Sequence, residues 1–138
     1  MSKRRLVDTN LIVRYLVQDD DKQARVAGAL FEACDRGDAV VVVLPVVLAE
    51  CVFVLESFYR QTRADIASAL ERLISSPGVE IDDVTVHLDA LKRYKDTKVH
   101  FVDCLITATA AAQNTPVAIF DRDFRKFGDI RIEKISPD

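Results

Sequence analysis

The sequence is poor in the residues that mark low-complexity or disulfide-rich chains. Its 138 residues include only four glycines and four prolines, and we find no internal repeat, low-complexity stretch or linker. The three cysteines are odd in number and form no CxxC pair, so we expect reduced thiols in a core. With 49% hydrophobic residues, the chain is predicted to fold as one domain over residues 1–138.

Long apolar segments are missing as well. The longest apolar run, residues 39–49, contains Pro45 and is too short to cross a bilayer. The basic start is similar to that of a secretion signal, but Asp8 and Asn10 interrupt the apolar segment that follows. We therefore expect a cytoplasmic protein without a membrane partner.

Basic residues are not in excess either. The 19 lysines and arginines are outnumbered by 22 acids, and the net charge is -3. This balance argues against nucleic-acid binding through overall basicity, although local basic clusters remain. Function is therefore to be sought in particular residues.

Short apolar runs alternate with longer amphipathic segments along the chain. Strands are predicted over residues 6–7, 40–44, 79–81, 117–120 and 130–135, and helices over 11–17, 22–34, 46–59, 64–74, 84–94 and 101–113. The unbroken apolar run at 40–44, four valines and a leucine, is typical of a strand buried on both faces. This alternation predicts an α/β fold, a three-layer α/β/α sandwich with a mostly parallel central sheet.

Four acids end apolar stretches or interrupt apolar helices: Asp8, Glu50, Asp103 and Asp121. Ligands of open α/β sheets bind beyond the carboxyl ends of strands, where Asp8 and Asp121 are predicted to lie. Two like charges about 4 Å apart repel by roughly 4 kcal/mol at an effective dielectric near 20, so clustered acids need a cation. Oxygen-only ligands favour Mg²⁺ or Mn²⁺. Such a site most naturally hydrolyses phosphodiesters.

These acids belong to four motifs: Asp8-Thr9-Asn10, Leu48-Ala49-Glu50-Cys51, Val102-Asp103-Cys104 and Ile119-Phe120-Asp121-Arg122-Asp123-Phe124. In this order the motifs resemble the PIN domain, and more narrowly the VapC-type toxins of toxin-antitoxin pairs. One departure is Ile119, where the family often has a threonine.

The resemblance implies an endoribonuclease that depends on Mg²⁺ or Mn²⁺ and cuts single-stranded regions of RNA. It also implies a homodimer that is inhibited by a cognate VapB-type antitoxin. It assigns catalysis to Asp8, Glu50, Asp103 and Asp121, metal binding to Asp8, Asp103, Asp121 and Asp123, and orientation of Asp8 or of a metal-bound water to Thr9 and Asn10.

Each of these residues also has a structural interpretation. Asp8 would only cap a helix, Glu50 would lie on an exposed stripe, and Asp103 would interact with a helix dipole. Four basic residues near the first and fourth acids could contact the RNA backbone or lie on solvated helix faces: Arg14, Arg122, Arg125 and Lys126.

Two other functions stay open. The chain could be a PIN-like interaction module that cuts nothing. It could also be an Asp-dependent phosphotransfer protein, although Asp8-Thr9-Asn10 lacks the second acid of the phosphatase Asp-x-Asp motif. The two histidines, His87 and His100, fit no metal or triad pattern and are predicted to be ordinary surface residues.

Overall fold

The chain divides into two compact units, Met1–Val84 and Thr85–Asp138. Within each unit, short strands pair in parallel. The structure is a computed structural model that describes residues 4–120 and 127–136. Every strand pair within these ranges is parallel, as predicted for an α/β fold. No helix in the described ranges is long and apolar enough to span a bilayer.

The first unit combines a three-stranded sheet with four helices. Its elements are β1 (Arg4–Leu6), α1 (Thr9–Val17), α2 (Asp21–Arg36), β2 (Val40–Val42), α3 (Pro45–Ser57), α4 (Arg63–Ile74) and β3 (Val79–Glu80). Strand β2 lies between β1 and β3. Helix α1 packs against α2 and α3, and α3 packs against α4.

Capping residues close in sequence mark where these helices begin and end. Asp8 accepts a hydrogen bond from the backbone N–H of Leu11 at 2.9 Å and begins α1. Asp20 accepts one from the N–H of Gln23 at 3.0 Å and begins α2. Gly37 ends α2 with a φ of 81°, a left-handed conformation that glycine adopts without steric cost.

Strand β2 supplies the centre of the first unit's core. Val41 and Val43 are 0% exposed, whereas Val40 and Val42 are only half-buried. The prediction that β2 is buried on both faces is therefore correct for the face of Val41 and overstates the burial of the face of Val40 and Val42. The alternation arises because successive side chains of a strand point to opposite faces, and one face of β2 is covered more completely than the other.

Gly78 is a point of close backbone approach just before β3. A Cβ atom at this position would lie 2.3 Å from the carbonyl oxygen of Ala39 and 2.7 Å from Cα of Cys34. These neighbours are backbone atoms, so they cannot move aside as a flexible side chain would. The Gly78 carbonyl also accepts a hydrogen bond from the N–H of Val41 at 2.8 Å, which ties this position to β2.

We expect Gly78→Ala to lower the free energy of unfolding by about 3 kcal/mol or more, because the added methyl group overpacks the backbone. Gly28→Ala is the matched control, since nothing lies within 4 Å of a Cβ there. This second change should stabilise α2 by about 1 kcal/mol. Urea unfolding of both variants checks the prediction, and a Gly78→Ala protein as stable as the wild type would contradict it.

The second unit contains two helices and two paired strands. Its elements are α5 (Val84–Asp96), which starts at the boundary, α6 (Phe101–Gln113), β4 (Val117–Ile119) and β5 (Ile132–Lys134). Tyr94 and Phe101 pack edge to face with ring centroids 6.0 Å apart. His87 is 4% exposed, so the surface prediction is wrong for this residue; it lies on the buried stripe of α5 with Ala90 and Leu91. His100 is exposed, as predicted.

Arg93 forms an ionic cluster in the second unit that the sequence did not predict. Its Nη1 donates to Oδ1 of Asp129 at 3.0 Å and its Nη2 donates to Oδ2 of the same carboxylate. Its Nε donates to Oδ2 of Asp89 at 3.1 Å. The guanidinium also lies over the Phe127 ring, 5.1 Å from the centroid. We call Asp89, Arg93, Phe127 and Asp129 the Arg93 cluster.

Because of the Arg93 cluster, we expect the folded protein to lose stability at acid pH. The hydrogen bond from Arg93 holds the pKa of Asp129 below its ordinary value of 3.8. A depressed pKa in the folded state stabilises the fold above the ordinary value, and this contribution is lost as the pH falls through the folded pKa. Asp129→Asn should therefore lose less stability than the wild type between about pH 4 and pH 2. Thermal melts across this range check the difference, and parallel curves would contradict it.

Candidate functional site

Asp8 lies just beyond the carboxyl end of β1. The N–H of Val7 donates to the carbonyl of Val42 at 3.2 Å, so pairing with β2 extends to the residue before Asp8. Oδ1 of Asp8 caps α1, so Asp8 does cap a helix, and its catalytic and metal-binding roles stay predictions. Within the described ranges, Oδ2 of this exposed carboxylate has no hydrogen bond or ion pair. Among the described residues, capping therefore engages one oxygen of Asp8 and leaves the other without a partner.

Glu50 is exposed on α3 and shares a stripe with Val46 and Phe53. The structural interpretation of Glu50, that it lies on an exposed stripe of its helix, is confirmed. The next residue, Cys51, is fully buried. The pKa of its thiol is raised to about 12 by burial first, and then by the charges of Glu50 and Asp8.

Asp8 and Glu50 belong to helices that pack against each other. Asp8 begins α1, Glu50 lies on α3, and α1 packs against α3. Two of the four predicted acids, which are 42 positions apart in the sequence, therefore lie on neighbouring elements of the first unit.

Asp103 lies in the first turn of α6, in the second unit, and is half-buried. A carboxylate at this position interacts favourably with the helix dipole, as the structural interpretation supposes. In the part of the chain that the structure describes, no lysine, arginine or histidine forms an ion pair with Asp103. Its proposed role as a metal ligand stays a prediction.

The fourth motif is described only up to Phe120. Five predicted site residues lie outside the described residues: Asp121, Arg122, Asp123, Arg125 and Lys126. Their roles in catalysis, metal binding and RNA contact stay predictions.

A cavity of about 480 Å³ lies beside Asp8 in the first unit. Asn10 and Arg14 line it with Asp8, while Leu11 and Val26 supply apolar surface. Thr9, the other predicted orienting residue, is half-buried at the start of α1. The cavity therefore places one predicted catalytic acid beside two of its predicted accessory residues.

Arg14 is held in a polar triad that the sequence did not predict. Its Nη1 donates to Oδ1 of Asp19 at 2.8 Å and to the Tyr59 hydroxyl at 3.2 Å. The Tyr59 hydroxyl donates to Oδ2 of Asp19 at 2.9 Å. Asp19 thus balances the charge of Arg14, and a contact between Arg14 and RNA stays a prediction. No local signal marks this triad, because Tyr59 is 40 residues from Asp19.

Asp8 and Glu50 supply the kind of donor that a magnesium site uses. Across residues 4–120 and 127–136, no group of three or more His, Cys, Asp or Glu side chains is arranged to hold a metal ion. Asp8 and Glu50 are nevertheless both exposed carboxylates, and no described cation forms an ion pair with either. Mg²⁺ typically binds one or two protein carboxylates and keeps several waters. Each of the two carboxylates is chemically suited to contribute to such a site.

Comparison with known proteins finds a family, a curated relative and a solved structure to which this chain is similar. The sequence model of the PIN domain family matches residues 5–130. A protein of Aquifex aeolicus (strain VF5) named VapC ribonuclease is 26% identical over 125 residues, which cover 90% of this chain and 92% of that protein. The crystal structure of VapBC2 from Rickettsia felis bound to a DNA fragment from their promoter matches with 17% identity and a TM-score of 0.38, over 96% of this chain and 98% of that chain.

Proposed function

Because the chain belongs to the PIN domain family, we propose that it is a metal-dependent endoribonuclease and the toxin of a VapBC-type toxin-antitoxin pair. Family membership confirms the predicted α/β/α PIN-like fold. The name of the Aquifex relative supports ribonuclease activity. The structural observation that carries the proposal is that Asp8 and Glu50, on two packed elements of the first unit, present exposed carboxylates without a cationic partner in the described chain.

The proposed metal is Mg²⁺ or Mn²⁺, held by Asp8, Asp103, Asp121 and Asp123. When bound, it would activate a water and stabilise charge on the phosphate. Asp8 contributes a carboxylate that is already oriented, because its Oδ1 is fixed by the N–H of Leu11. Pre-orientation of this kind reduces the entropy that is lost when a ligand binds.

Glu50 supplies the second carboxylate of the first unit. In this proposal its oxygens accept a hydrogen bond from the attacking water and orient that water toward phosphorus. Thr9 and Asn10 orient Asp8 or the water, and Asp121 completes the acidic set. Since water rather than the ribose 2′-hydroxyl attacks, cleavage leaves a 5′-phosphate and a 3′-hydroxyl.

Exposed apolar side chains support the proposed protein partners, a second copy of this chain and a VapB-type antitoxin. On one stripe of α3, Val46 is 70% exposed and Phe53 is 67% exposed. Apolar side chains grouped on a surface often mark interaction sites. We also propose a cytoplasmic location, where the proposed substrate is cellular RNA.

The proposal is tested by incubating antitoxin-free protein with total cellular RNA in Mg²⁺, Mn²⁺ or EDTA and mapping the new ends. We expect discrete cuts with 5′-phosphate ends in either metal and none in EDTA. Cyclic-phosphate ends, or cutting that persists in EDTA, would contradict the proposed mechanism. A protein that binds Mn²⁺ but cuts no RNA would instead favour a non-catalytic interaction module.

A further inference from the structure

The loop between α3 and α4, residues 58–62, presents an exposed aromatic ring. Phe58 is 76% exposed, which makes it the most exposed of the large apolar residues that the structure describes. We propose that Phe58 is a substrate-binding residue, whose ring stacks on a base of single-stranded RNA beside the cleavage site at Asp8. This inference rests on the proposed function, because it adds a base contact to the same substrate.

The first support is the chemistry of the chain around Phe58. Residues 56–57 and 60–63, which flank Phe58 and Tyr59, are all polar or charged, and residues 58–63 contain two arginines and no acid. Surfaces that bind single strands combine basic residues, which attract the phosphates, with aromatic rings on which bases stack. Apolar surfaces that dock proteins are contiguous patches instead. A ring isolated among polar and basic residues therefore favours a base as its partner.

The second support is that the backbone of the loop holds the ring in place. The N–H groups of Phe58 and Tyr59 donate to the Val54 carbonyl at 2.9 and 3.3 Å, and the N–H of Gln61 donates to the Leu55 carbonyl at 3.0 Å. The Tyr59 ring packs edge to face against the Phe58 ring, with centroids 4.9 Å apart. A ring that is ordered before binding loses less conformational entropy when a base stacks on it.

The third support is a connection from this loop to the proposed site. The Tyr59 hydroxyl accepts from Nη1 of Arg14 at 3.2 Å and donates to Asp19 at 2.9 Å. Arg14 in turn lines the cavity that Asp8 also lines. Asp8 and Arg14 are six positions apart along α1, which corresponds to a rise of about 9 Å. Tyr59 and Arg14 therefore join the Phe58 loop to the cavity beside Asp8, over a distance that a short single strand spans.

Phe58→Leu tests the inference, because leucine keeps an apolar side chain and removes the aromatic face. Since Phe58 is largely exposed, the variant should fold as the wild type does. We expect the KM for cleavage of a single-stranded RNA to rise about 10-fold or more. The kcat should stay within about twofold, because the stacking contact is made equally in the ground state and in the transition state.

Phe58→Tyr is the matched control for this experiment. It keeps the ring at the same position, so the KM should remain that of the wild type. A partner that required only apolar surface would accept leucine at least as well as tyrosine, and the order of the two variants would then be reversed.

Phe58→Trp provides a readout that needs neither metal nor cleavage. The chain contains no tryptophan, so this variant carries a single indole, whose fluorescence is quenched when a base stacks on it. We expect a short single-stranded RNA in EDTA to quench the emission in a saturable way. Ser68→Trp is the control, since Ser68 is exposed on α4 and belongs to none of the four motifs. Its emission should not change with RNA.

The outcomes are distinct. A wild-type KM in Phe58→Leu, or emission of Phe58→Trp that RNA leaves unchanged, would overturn the base contact. So would a Phe58→Leu protein that changes its mass in light scattering and not its KM, because Phe58 would then belong to an interface between protein chains. If RNA quenches Phe58→Trp but the wild type cleaves no RNA in Mg²⁺ or Mn²⁺, the base contact stands and the proposed function is overturned instead.

Discussion

Asp8→Asn is expected to lower the rate of RNA cleavage about 100-fold or more while the protein stays folded. Asparagine keeps an oxygen that accepts the hydrogen bond from Leu11, and it caps helices about as well as aspartate. The free energy of unfolding should therefore change by less than about 0.5 kcal/mol. What is lost is the negative charge on the carboxylate that is proposed to bind the metal. Cleavage of total RNA and urea unfolding, measured on one preparation, check both parts.

Asp20→Asn is a closely matched control for this experiment. Asp20 begins α2 as Asp8 begins α1, and it accepts from the N–H of Gln23 at nearly the same distance. It belongs to none of the four motifs. Equal loss of cleavage in both variants would mean that loss of the negative charge at a helix cap, and not loss of a catalytic carboxylate, explains the effect. Cleavage by Asp8→Asn at the wild-type rate would remove Asp8 from the site.

Val41→Asp is expected to prevent folding. Val41 is 0% exposed in β2, between β1 and β3, so the substitution would bury a charge that has no partner. We expect a loss of about 4 kcal/mol or more, a large part of the roughly 5–15 kcal/mol that stabilises a typical domain. Circular dichroism should show an unfolded chain at 25 °C.

The control for Val41→Asp is Val26→Asp on α2. Val26 is 66% exposed, so the same change in chemistry is solvated and should cost less than about 1 kcal/mol. A cooperative unfolding transition of Val41→Asp at the wild-type midpoint would show that β2 does not form the centre of the first unit.

The secondary structure could be predicted because its signals are local. Helix α6 begins and ends where predicted, and the ends of the other elements differ from the predictions by two residues at most. Asp20, which caps α2, and Gly37, which ends it, act through hydrogen bonds within a few residues. The burial of His87 was missed because histidine occurs on both the buried and the exposed face of amphipathic helices, so its identity alone does not show which face it occupies.

The long-range ionic contacts could not be predicted. Arg93 and Asp129 are 36 residues apart, and Asp19 and Tyr59 are 40 residues apart. Exposed charges are common in this sequence, and nothing near these residues in the sequence distinguishes a paired charge from a solvated one. Such partners are determined only when tertiary packing brings their elements together.

The acidic site could be predicted only in part, because it depends on local signals and on long-range packing. Strand ends and helix periodicity placed Asp8 and Glu50, and the structure packs α1, which Asp8 begins, against α3, which carries Glu50. Asp103 lies in α6 of the second unit, and the fourth motif extends beyond Phe120, outside the described residues. That all four acids serve one site remains our proposal.

Calorimetric titration of the wild type with Mn²⁺ in the absence of RNA tests the central claim most directly. We expect saturable binding that is lost in both Asp8→Asn and Asp103→Asn and retained in Asp20→Asn, because the first two changes remove proposed ligands and the third removes only the charge of a helix cap. Absence of binding to the wild type, or equal binding by all four proteins, would contradict a metal site built from these acids.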